Sequence, residues 1–449
     1  MKFFDVIVCG AGVAGCSFAH HVSKQGFNVL LLDQKPRENL GHDWWDAVNQ
    51  VVFEETEINP PQPPERLNYG SSVYTSPNGK TQMYGTTPRK YSVDRKLFAQ
   101  RLLKLAIEGG TKFRDRIKIL KPEIKETGVI GVIIQNENNI EMNIKARLVV
   151  DATGVRATLR RQIPFETDFE KKIRKQDTFV LYREIREAIT SRTDRIVRFG
   201  HHQGLSWISF RQKGLVDILA GTLDLPNHIN PKDIVKGYLQ DYKGEIGEKI
   251  IRAGYGGIIP IRRCLDSFIE DGFLVIGDSA SQINPIDGSG IAASMYAAYY
   301  ASNTVVQALK QKMVLTKETL WPYNYNYKTI VGSKFVALDI VRLFLMGRND
   351  PEKDLNYLFG RGIVGARDLQ GWGQKSSSFS TFKRLIKGLD QLPLLRELKR
   401  VKKLSKKATE TYRAFPEQFS QESFEKWQND LKDIFQQIPL ERSDIITTW

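Results

Sequence analysis

Three cysteines, Cys9, Cys16 and Cys264, are all that the 449-residue chain carries, and no two form a CxxC pair. They indicate neither a disulfide framework nor a zinc site, no metal centre is expected, and a reduced compartment fits. No apolar run approaches the roughly 20 residues that span a bilayer, so no transmembrane helix is expected. The start, MKFFDVIVCG, lacks a small-residue cleavage site and runs straight into a glycine loop, so it reads as a strand and not as a signal peptide. Internal repeats and low-complexity tracts are missing as well. The expectation is a cytoplasmic protein, peripheral at most on the inner face of a membrane. What is present is enough apolar material, 41% of residues, for sizeable cores. The length allows two to three domains, and the net charge is +15.

FDVIVCG reads as a buried parallel strand ended by glycine, Val13 to Gly26 as a helix, and NVLLLD (Asn28 to Asp33) as the next strand. Together they make a βαβ unit of about 30 residues. The segment Trp44 to Pro64 reads as irregular. Ser92 reads as the N-cap of a helix with apolar residues at Val93, Leu97, Leu102, Leu105 and Ala106, closed by Gly109. Residues 117–150 read as a β-meander ending in LVVDATG. From Asp177 to Leu225, TFVLYREI, RIVRFGHH, LSWISF and VDILAGTLD suit an antiparallel sheet, and Pro231 to Tyr242 a helix. FLVIG returns the chain to the first domain, and the part after about Lys328 is mostly helical. The fold class expected is α/β (α+β overall). A Rossmann-type domain takes 1–65, 92–165 and 262–328, an antiparallel β-sheet domain takes 66–91 and 166–261, and a helical C-terminal region takes 329–449.

Gly10-Ala11-Gly12-Val13-Ala14-Gly15 is GxGxxG between a strand and a helix. The first glycine allows the tight turn, the second lets backbone approach a pyrophosphate, and the third lets helix and strand pack closely. Phosphates then sit at a helix N-terminus, where free N–H groups favour anions. Asp33 ends the second strand, 18 residues after Gly15, where an acid can hydrogen-bond a ribose. A dinucleotide site is therefore expected.

Three further segments separate FAD from NAD: Asp94-Arg95 at a helix start, Asp151-Ala152-Thr153-Gly154 at a strand end with Arg160 beyond it, and Gly277-Asp278 at another strand end. This order resembles the flavoprotein superfamily of aromatic hydroxylases, flavin halogenases and geranylgeranyl reductases over about residues 1–300. The resemblance implies that Arg95 lies near the FAD phosphates, that Ala152 and Gly154 pass the adenine side, and that Asp278 bonds the ribityl chain. Asn284-Pro285 and Gly288-Ser289-Gly290-Ile291 would bring backbone N–H groups to the flavin ring. The helix from Ile291 would point its positive end at the ring edge where negative charge develops.

Within that superfamily DATGVRATLR, the IIP turn (Ile258 to Pro260) and GDSASQINPIDGSGI resemble the geranylgeranyl reductase family, whose members reduce isolated double bonds of isoprenoid chains using FAD. Two stretches depart from the family pattern. Its YxWxFP signature reads LSWISFRQ here, keeping Trp207 but placing Leu205 and Ser209-Phe210 at the other positions. Its CGDA-like segment reads Trp44-Trp45-Asp46-Ala47, without cysteine. The resemblance implies a prenyl-chain reductase acting on a hydrophobic isoprenoid or lipid, with Trp44, Trp45 and Trp207 as candidate lining of a site that excludes water. His42, His201 and His202 are weak proton-donor candidates, and no catalytic residue is assigned. A hydroxylase, a carotenoid-type cyclase and a membrane-associated electron-transfer flavoprotein are the competing readings. The halogenase signature WxWxIP is absent, with Trp207 alone standing there. No second GxGxxG is present, so electrons come from transiently bound NAD(P)H or from reduced ferredoxin, an acidic partner that a +15 chain attracts.

Between Lys383 and Lys407 ten basic residues face only Asp390 and Glu397, which is +8 of the +15. PLLRELKRVKKLSKKA sets Leu394, Leu395, Leu398, Val401 and Leu404 at helical spacing. A basic amphipathic helix in 383–408 can lie on an anionic membrane or pack on the body with its basic face solvated. No aromatic is interleaved, so nucleic acid is not expected as a partner.

Overall fold

The computed structural model describes residues 3–67, 72–84, 90–126, 128–211, 214–226, 228–365 and 389–447. Strand β1 (Phe3–Cys9) is almost wholly apolar and buried, as a central parallel strand covered on both faces must be. It pairs in parallel with β2 (Val29–Leu32) on one side and β11 (Glu141–Asp151) on the other. β8 (Lys112–Arg114) extends the sheet beyond β2. β18 (Phe273–Val275) lies parallel to β11, with the short β17 (Ile269–Glu270) antiparallel at the edge. β9 (Lys118–Lys125), β10 (Gly128–Gln135) and β11 form the meander expected from the sequence. Helix α1 (Val13–Ser23) packs between α3 (Arg95–Glu108) and α5 (Ile291–Lys310).

The segment expected to be irregular contains β3 (Trp45–Asn49) and α2 (Val51–Glu55). β3 pairs with β7 (Lys90–Asp94), which also takes β4 (Arg66–Leu67), in a small antiparallel sheet. Arg66–Leu67 therefore pair away from the larger antiparallel sheet. Ser92 is not the cap of α3: it lies within β7, where its Oγ accepts from Arg211 Nη1 at 3.0 Å. The cap is Asp94, whose carboxylate accepts from Lys96 N at 3.0 Å and Leu97 N at 3.1 Å. A carboxylate at a helix N-terminus satisfies two orphan donors and meets the helix dipole, so it outcompetes a serine already used across strands.

The second sheet runs β16 (Ile246–Pro260), β12 (Thr178–Ala188), β15 (Leu215–Leu223), β14 (Leu205–Arg211), β13 (Arg195–Phe199), β5 (Ser72–Thr75) and β6 (Gln82–Tyr84). All pairs are antiparallel except β13 with β5. The IIP stretch, expected as a turn, is the end of β16. Strand alternation sends Ile208, Phe210, Val216 and Ile218 to one face, against Ile234 and Tyr238 of α4 (Pro231–Asp241). Phe179, Leu205, Trp207 and Leu219 go to the other face and join the main core.

The C-terminal region is helical where it is described. α6 (Lys317–Tyr327) passes through one π turn (Lys328–Gly332) into α7 (Ser333–Met346), followed by α8 (Pro351–Gly360), α9 (Leu392–Arg413) and α10 (Gln421–Gln436). The π turn turns Lys328 inward, and it is fully buried. Its ammonium donates to Leu265 O at 2.5 Å and lies 4.4–5.6 Å from the ring centroids of Phe268, Trp427, Phe415 and Tyr412. Burial pushes the amine's pKa down, and four π faces offset part of the lost hydration. No helix among the described residues is long and apolar enough to cross a membrane.

Arg342 of α7 ties the helices to the second sheet. It donates to Asp177 at 2.9 Å, Asp339 at 2.8 Å and Gln176 O at 3.1 Å, and all three side chains are buried. Arg342→Met leaves the Asp177 carboxylate, which has no exposure, short of a partner. The expected cost is roughly 3–5 kcal/mol, read as a lower denaturant midpoint.

Candidate functional site

The β1–α1 turn has the shape its glycines require. Gly10 sits at φ +109°, and a Cβ there would lie 2.2 Å from Ala152 O. A Cβ on Gly15 would lie 1.9 Å from Gly10 O, so helix and turn touch backbone to backbone. A Cβ on Gly12 meets nothing within 4 Å. Asp33 sits at the end of β2, its Oδ2 accepting from Ala11 N at 2.7 Å and its Oδ1 from Lys35 N at 2.8 Å. Gly12 caps α1 without a side-chain acceptor, leaving the first-turn N–H groups of Val13, Ala14 and Gly15 for an anion.

Asp151 knots the neighbouring loop. It is fully buried and accepts from Thr153 N at 3.0 Å, Thr153 Oγ1 at 2.6 Å, Leu159 N at 3.0 Å and Arg160 N at 2.8 Å. Arg160 is itself buried, and burial pushes its guanidinium down to about 10. Ser279 Oγ donates to Gly154 O at 2.9 Å, joining this loop to Gly277-Asp278. Gln282 Oε1 accepts from Gly277 N at 2.7 Å, while its Nε2 donates to Tyr323 Oη at 2.7 Å. Gly277 lies against Ala14, and a Cβ on Gly290 would come within 3.2 Å of Asp278 Oδ1. The structure thus brings Gly10, Gly12, Ala14, Gly15, Ala152, Gly154, Gly277, Asp278 and Gly290 onto one seam, with Asp33 at its β2 end. Burial pushes the Asp278 carboxyl up, opposed by the charge of Arg95. The loop beyond is stiff: Gly288 N donates to Asn284 O at 3.0 Å and Ile286 N to Asn284 Oδ1 at 2.9 Å, with Pro285 between. Gly288, at φ +69°, packs on Ile259 of β16. α5 then starts at Ile291 with Gly290 as N-cap and no side-chain acceptor.

FAD fits these residues. The cradle has space at Gly12 and at Gly154, where a Cβ again meets nothing within 4 Å. Two helix N-termini, those of α1 and α5, point donors into the seam without side-chain caps, and Asp33 stands at a strand end. Such a donor set suits a pyrophosphate and a ribose.

Beside the seam the two sheets meet in a cluster that sequence reasoning only half found. Trp44, Trp45 and Trp207 do come together, around arginines. Arg183 is 3% exposed and grips Asp217 with two bonds, Nε at 2.8 Å and Nη2 at 2.6 Å. Its Nη1 donates to Asp46 Oδ1 at 2.9 Å, and its plane lies 5.0 Å from the Trp44 ring and 5.3 Å from Trp207. Asp46 Oδ2 accepts from Arg95 Nη1 at 3.0 Å and from Trp44 Nε1 at 3.2 Å. Arg95, expected near phosphates, thus holds Asp46 while its charge reaches Asp278. Arg252 stacks 4.1 Å from Trp45, and Arg195 4.3 Å from Trp207. Burial pushes the Asp46 carboxyl up, but Arg183 and Arg95 outweigh it and hold the group at about 2. Arg183, Asp217 and Arg211, which donates to Asp217 Oδ2 at 3.0 Å, went unmarked in the sequence, and Asp46 was noted only within the Trp44–Ala47 stretch. The signal was there: Arg183 follows Phe179 and Leu181 on the inward face of β12, and Asp217 precedes Leu219 on that of β15.

His42 and His201 do not serve as cationic acids. His42 stacks on Trp44 at 4.6 Å, and burial, with Arg95 and Lys35, pushes it down to about 3. His201 is pushed down to about 4 and bonds Ser206 Oγ, whose other partner is Tyr238 on α4, so it lies on the sheet's far face. Ile286 of the 284–289 loop also lines a narrow cavity of about 20 Å³ walled only by apolar side chains, among them Phe199, Leu338, Val341, Phe344 and Leu398.

Residues 5–170 match the family model described as lycopene cyclase protein. The chain is similar to the digeranylgeranylglycerophospholipid reductase of Sulfolobus acidocaldarius, 28% identical over 446 residues, covering 96% of this chain and 97% of that protein. Among solved structures it is similar to a geranylgeranyl bacteriochlorophyll reductase-like protein from Thermoplasma acidophilum, with TM-score 0.72, 17% identity, and 89% and 100% of the two chains covered. It is also similar to a flavin-dependent brominase, with TM-score 0.61, 15% identity, and 92% and 98% covered. These two likenesses show the fold.

The glycines separate cofactor contact from packing. Gly12→Ala should leave the melting temperature of the flavin-free protein unchanged and weaken FAD roughly tenfold, by flavin-release titration, whereas Gly15→Ala should lower both. A histidine held neutral contributes stability that is full above its unfolded pKa of 6.5 and is lost as pH falls toward 3. Melting temperature should therefore drop on acidification below about pH 6.5, and less steeply in His42→Phe, which keeps the ring on Trp44.

Proposed function

We propose that this chain, a flavoprotein of the geranylgeranyl reductase type, saturates isolated carbon–carbon double bonds in the prenyl chains of a lipid. The observation that carries the reading is the pocket with no polar lining residue, walled by Ile286 of the flavin loop. Its walls are hydrocarbon throughout, the lining a prenyl chain would need, and they offer nothing that would recognise a polar ring. The end-to-end relative named a digeranylgeranylglycerophospholipid reductase supports the same substrate class. The lycopene cyclase match stops at residue 170, before the first pocket residue, Phe199.

FAD held by the glycine cradle, the α1 N-terminus and Asp33 would, once reduced, supply the hydride that one alkene carbon takes up. The chain's own residues hold and shield. An isolated alkene has no carbonyl on which charge can be stabilised, so positioning and exclusion of water must supply most of the catalysis. The uncapped N-terminus of α5 favours negative charge at its end, and the stiff 284–289 loop fixes where that end lies. Asp46 stays ionised between two guanidiniums and does not release the proton that the second alkene carbon takes up. Trp44, Trp45 and Trp207 close the arginine side, their faces on guanidiniums. Electrons reach the flavin from NAD(P)H or from a reduced acidic carrier of the ferredoxin class, and the +15 charge favours the acidic carrier.

The test is anaerobic. Holoenzyme with reduced flavin, mixed with a geranylgeranylated phospholipid, should recover its oxidised absorbance while the lipid gains two hydrogens per bond. Reoxidation only on admitting oxygen, with a hydroxylated product, contradicts the reading. Leu398→Trp, at the half-buried edge of the pocket, should retain FAD and lower kcat/KM for the lipid by about tenfold.

A further inference from the structure

α9 carries the feature that the chemistry above leaves unused. Its apolar face is spent inside the protein: Leu394, Val401, Leu404 and Ala408 are buried, and the helix lies along α7. Of the two readings the sequence left open for this apolar face, it packs on the body, and the basic face is left to solvent. Lys383, Arg384 and Lys387 lie outside the described residues. The opposite face is a stripe of exposed cations, Arg396, Lys399, Lys403 and Lys407, spaced three or four residues apart and flanked by Arg400, Lys402 and Lys406. Seven cations occupy about 16 Å of helix. Of the two acids nearby, Glu397 is taken by Arg348 at 2.5 Å, and Glu410 pairs with Lys406 at 3.7 Å.

We infer that this stripe docks the enzyme on a bilayer rich in anionic phospholipid, a role that rests on the prenyl-lipid reading. Three observations favour a lipid surface over an acidic carrier protein. The inner face of the same helix supplies Leu398 and Val401 to the apolar pocket, so a membrane against the stripe lies one helix thickness, about 10 Å, from the substrate's seat. The helix begins with Leu392, 44% exposed, and an exposed Pro393, an apolar tip that suits the head-group boundary and has no counterpart on an acidic protein. The cations lie in one row along one helix face, and a planar array of phosphates can meet all of them at once. Because the helix keeps its apolar face at home, docking is electrostatic and reversible, which lets the enzyme move from lipid to lipid. It follows that binding is screened by salt.

The test uses the full-length holoenzyme and sedimentation with phosphatidylcholine vesicles, either plain or doped with phosphatidylglycerol. The wild type should pellet with the doped vesicles at low salt, leave them at high salt, and ignore plain ones. Lys399→Gln, Lys403→Gln and Lys407→Gln combined should weaken binding about a hundredfold, about fivefold for each lysine. The variant should keep its melting temperature and its rate on detergent-dispersed prenyl lipid. Equal pelleting of the triple variant, or none by the wild type, overturns the docking. So does a triple variant that keeps its vesicles and loses only the rate driven by an acidic electron carrier, since the stripe then serves that carrier. A protein that docks yet never reduces detergent-dispersed lipid leaves the docking standing and removes the reductase reading instead.

Discussion

The guanidinium of Arg183 is the joint between the two halves of the molecule. It belongs to the second sheet, is 3% exposed, and could not stay charged there alone. Asp217, on the neighbouring strand, takes two of its bonds, and Asp46, from the small sheet beside the nucleotide cradle, takes a third. Asp46 is shared with Arg95, at the first turn of α3. One chain of opposite charges therefore runs from α3 through the small sheet to the second sheet. Coulomb attraction across such a chain is worth keeping only while every member is present, because removal of one leaves a buried charge without its partner. The three tryptophans pack on the same guanidiniums, so the aromatic wall takes its position from the ion pairs.

The seam for FAD depends on that joint on one side and on the helical region on the other. Tyr323 of α6 holds Gln282, Gln282 holds Gly277 N, and the next residue is Asp278. Lys328, one residue beyond α6, pins the following turn to Leu265 O inside an aromatic cage to which α9 supplies Tyr412 and α10 supplies Trp427. The C-terminal helices thus act on the site without touching it, and α7, α8 and α9 also supply most of the apolar pocket. Scaffold, apolar cavity and proposed membrane contact share the same helices.

The nucleotide half was legible because its requirements are local. A φ of +109° demands glycine at position 10, and an acid at the end of β2 needs only the right spacing. The joint was not legible because its members are far apart: Arg183 stands 34 residues from Asp217 and 137 from Asp46. The sequence marked Trp44-Trp45-Asp46-Ala47 only through a family resemblance, and short strands such as β3, holding Asp and Asn, carry no strong periodic signal. For α9 the periodicity was right, but periodicity does not say what an apolar face meets. That was decided by α7, whose own run Val336 to Phe344 needed cover.

The most direct measurement is a double-mutant cycle on the joint, with Asp46→Asn, Arg183→Gln and both together. It is read as the anaerobic rate at which prenyl lipid reoxidises the reduced flavin in protein that still holds FAD. If the pair orients the substrate sheet over the cofactor as one unit, each single change slows the reaction and the double is no slower than the worse single. That corresponds to a coupling of roughly 1.5 kcal/mol or more. Two slowdowns that simply multiply would mean that Asp46 and Arg183 act independently, and would contradict the joint.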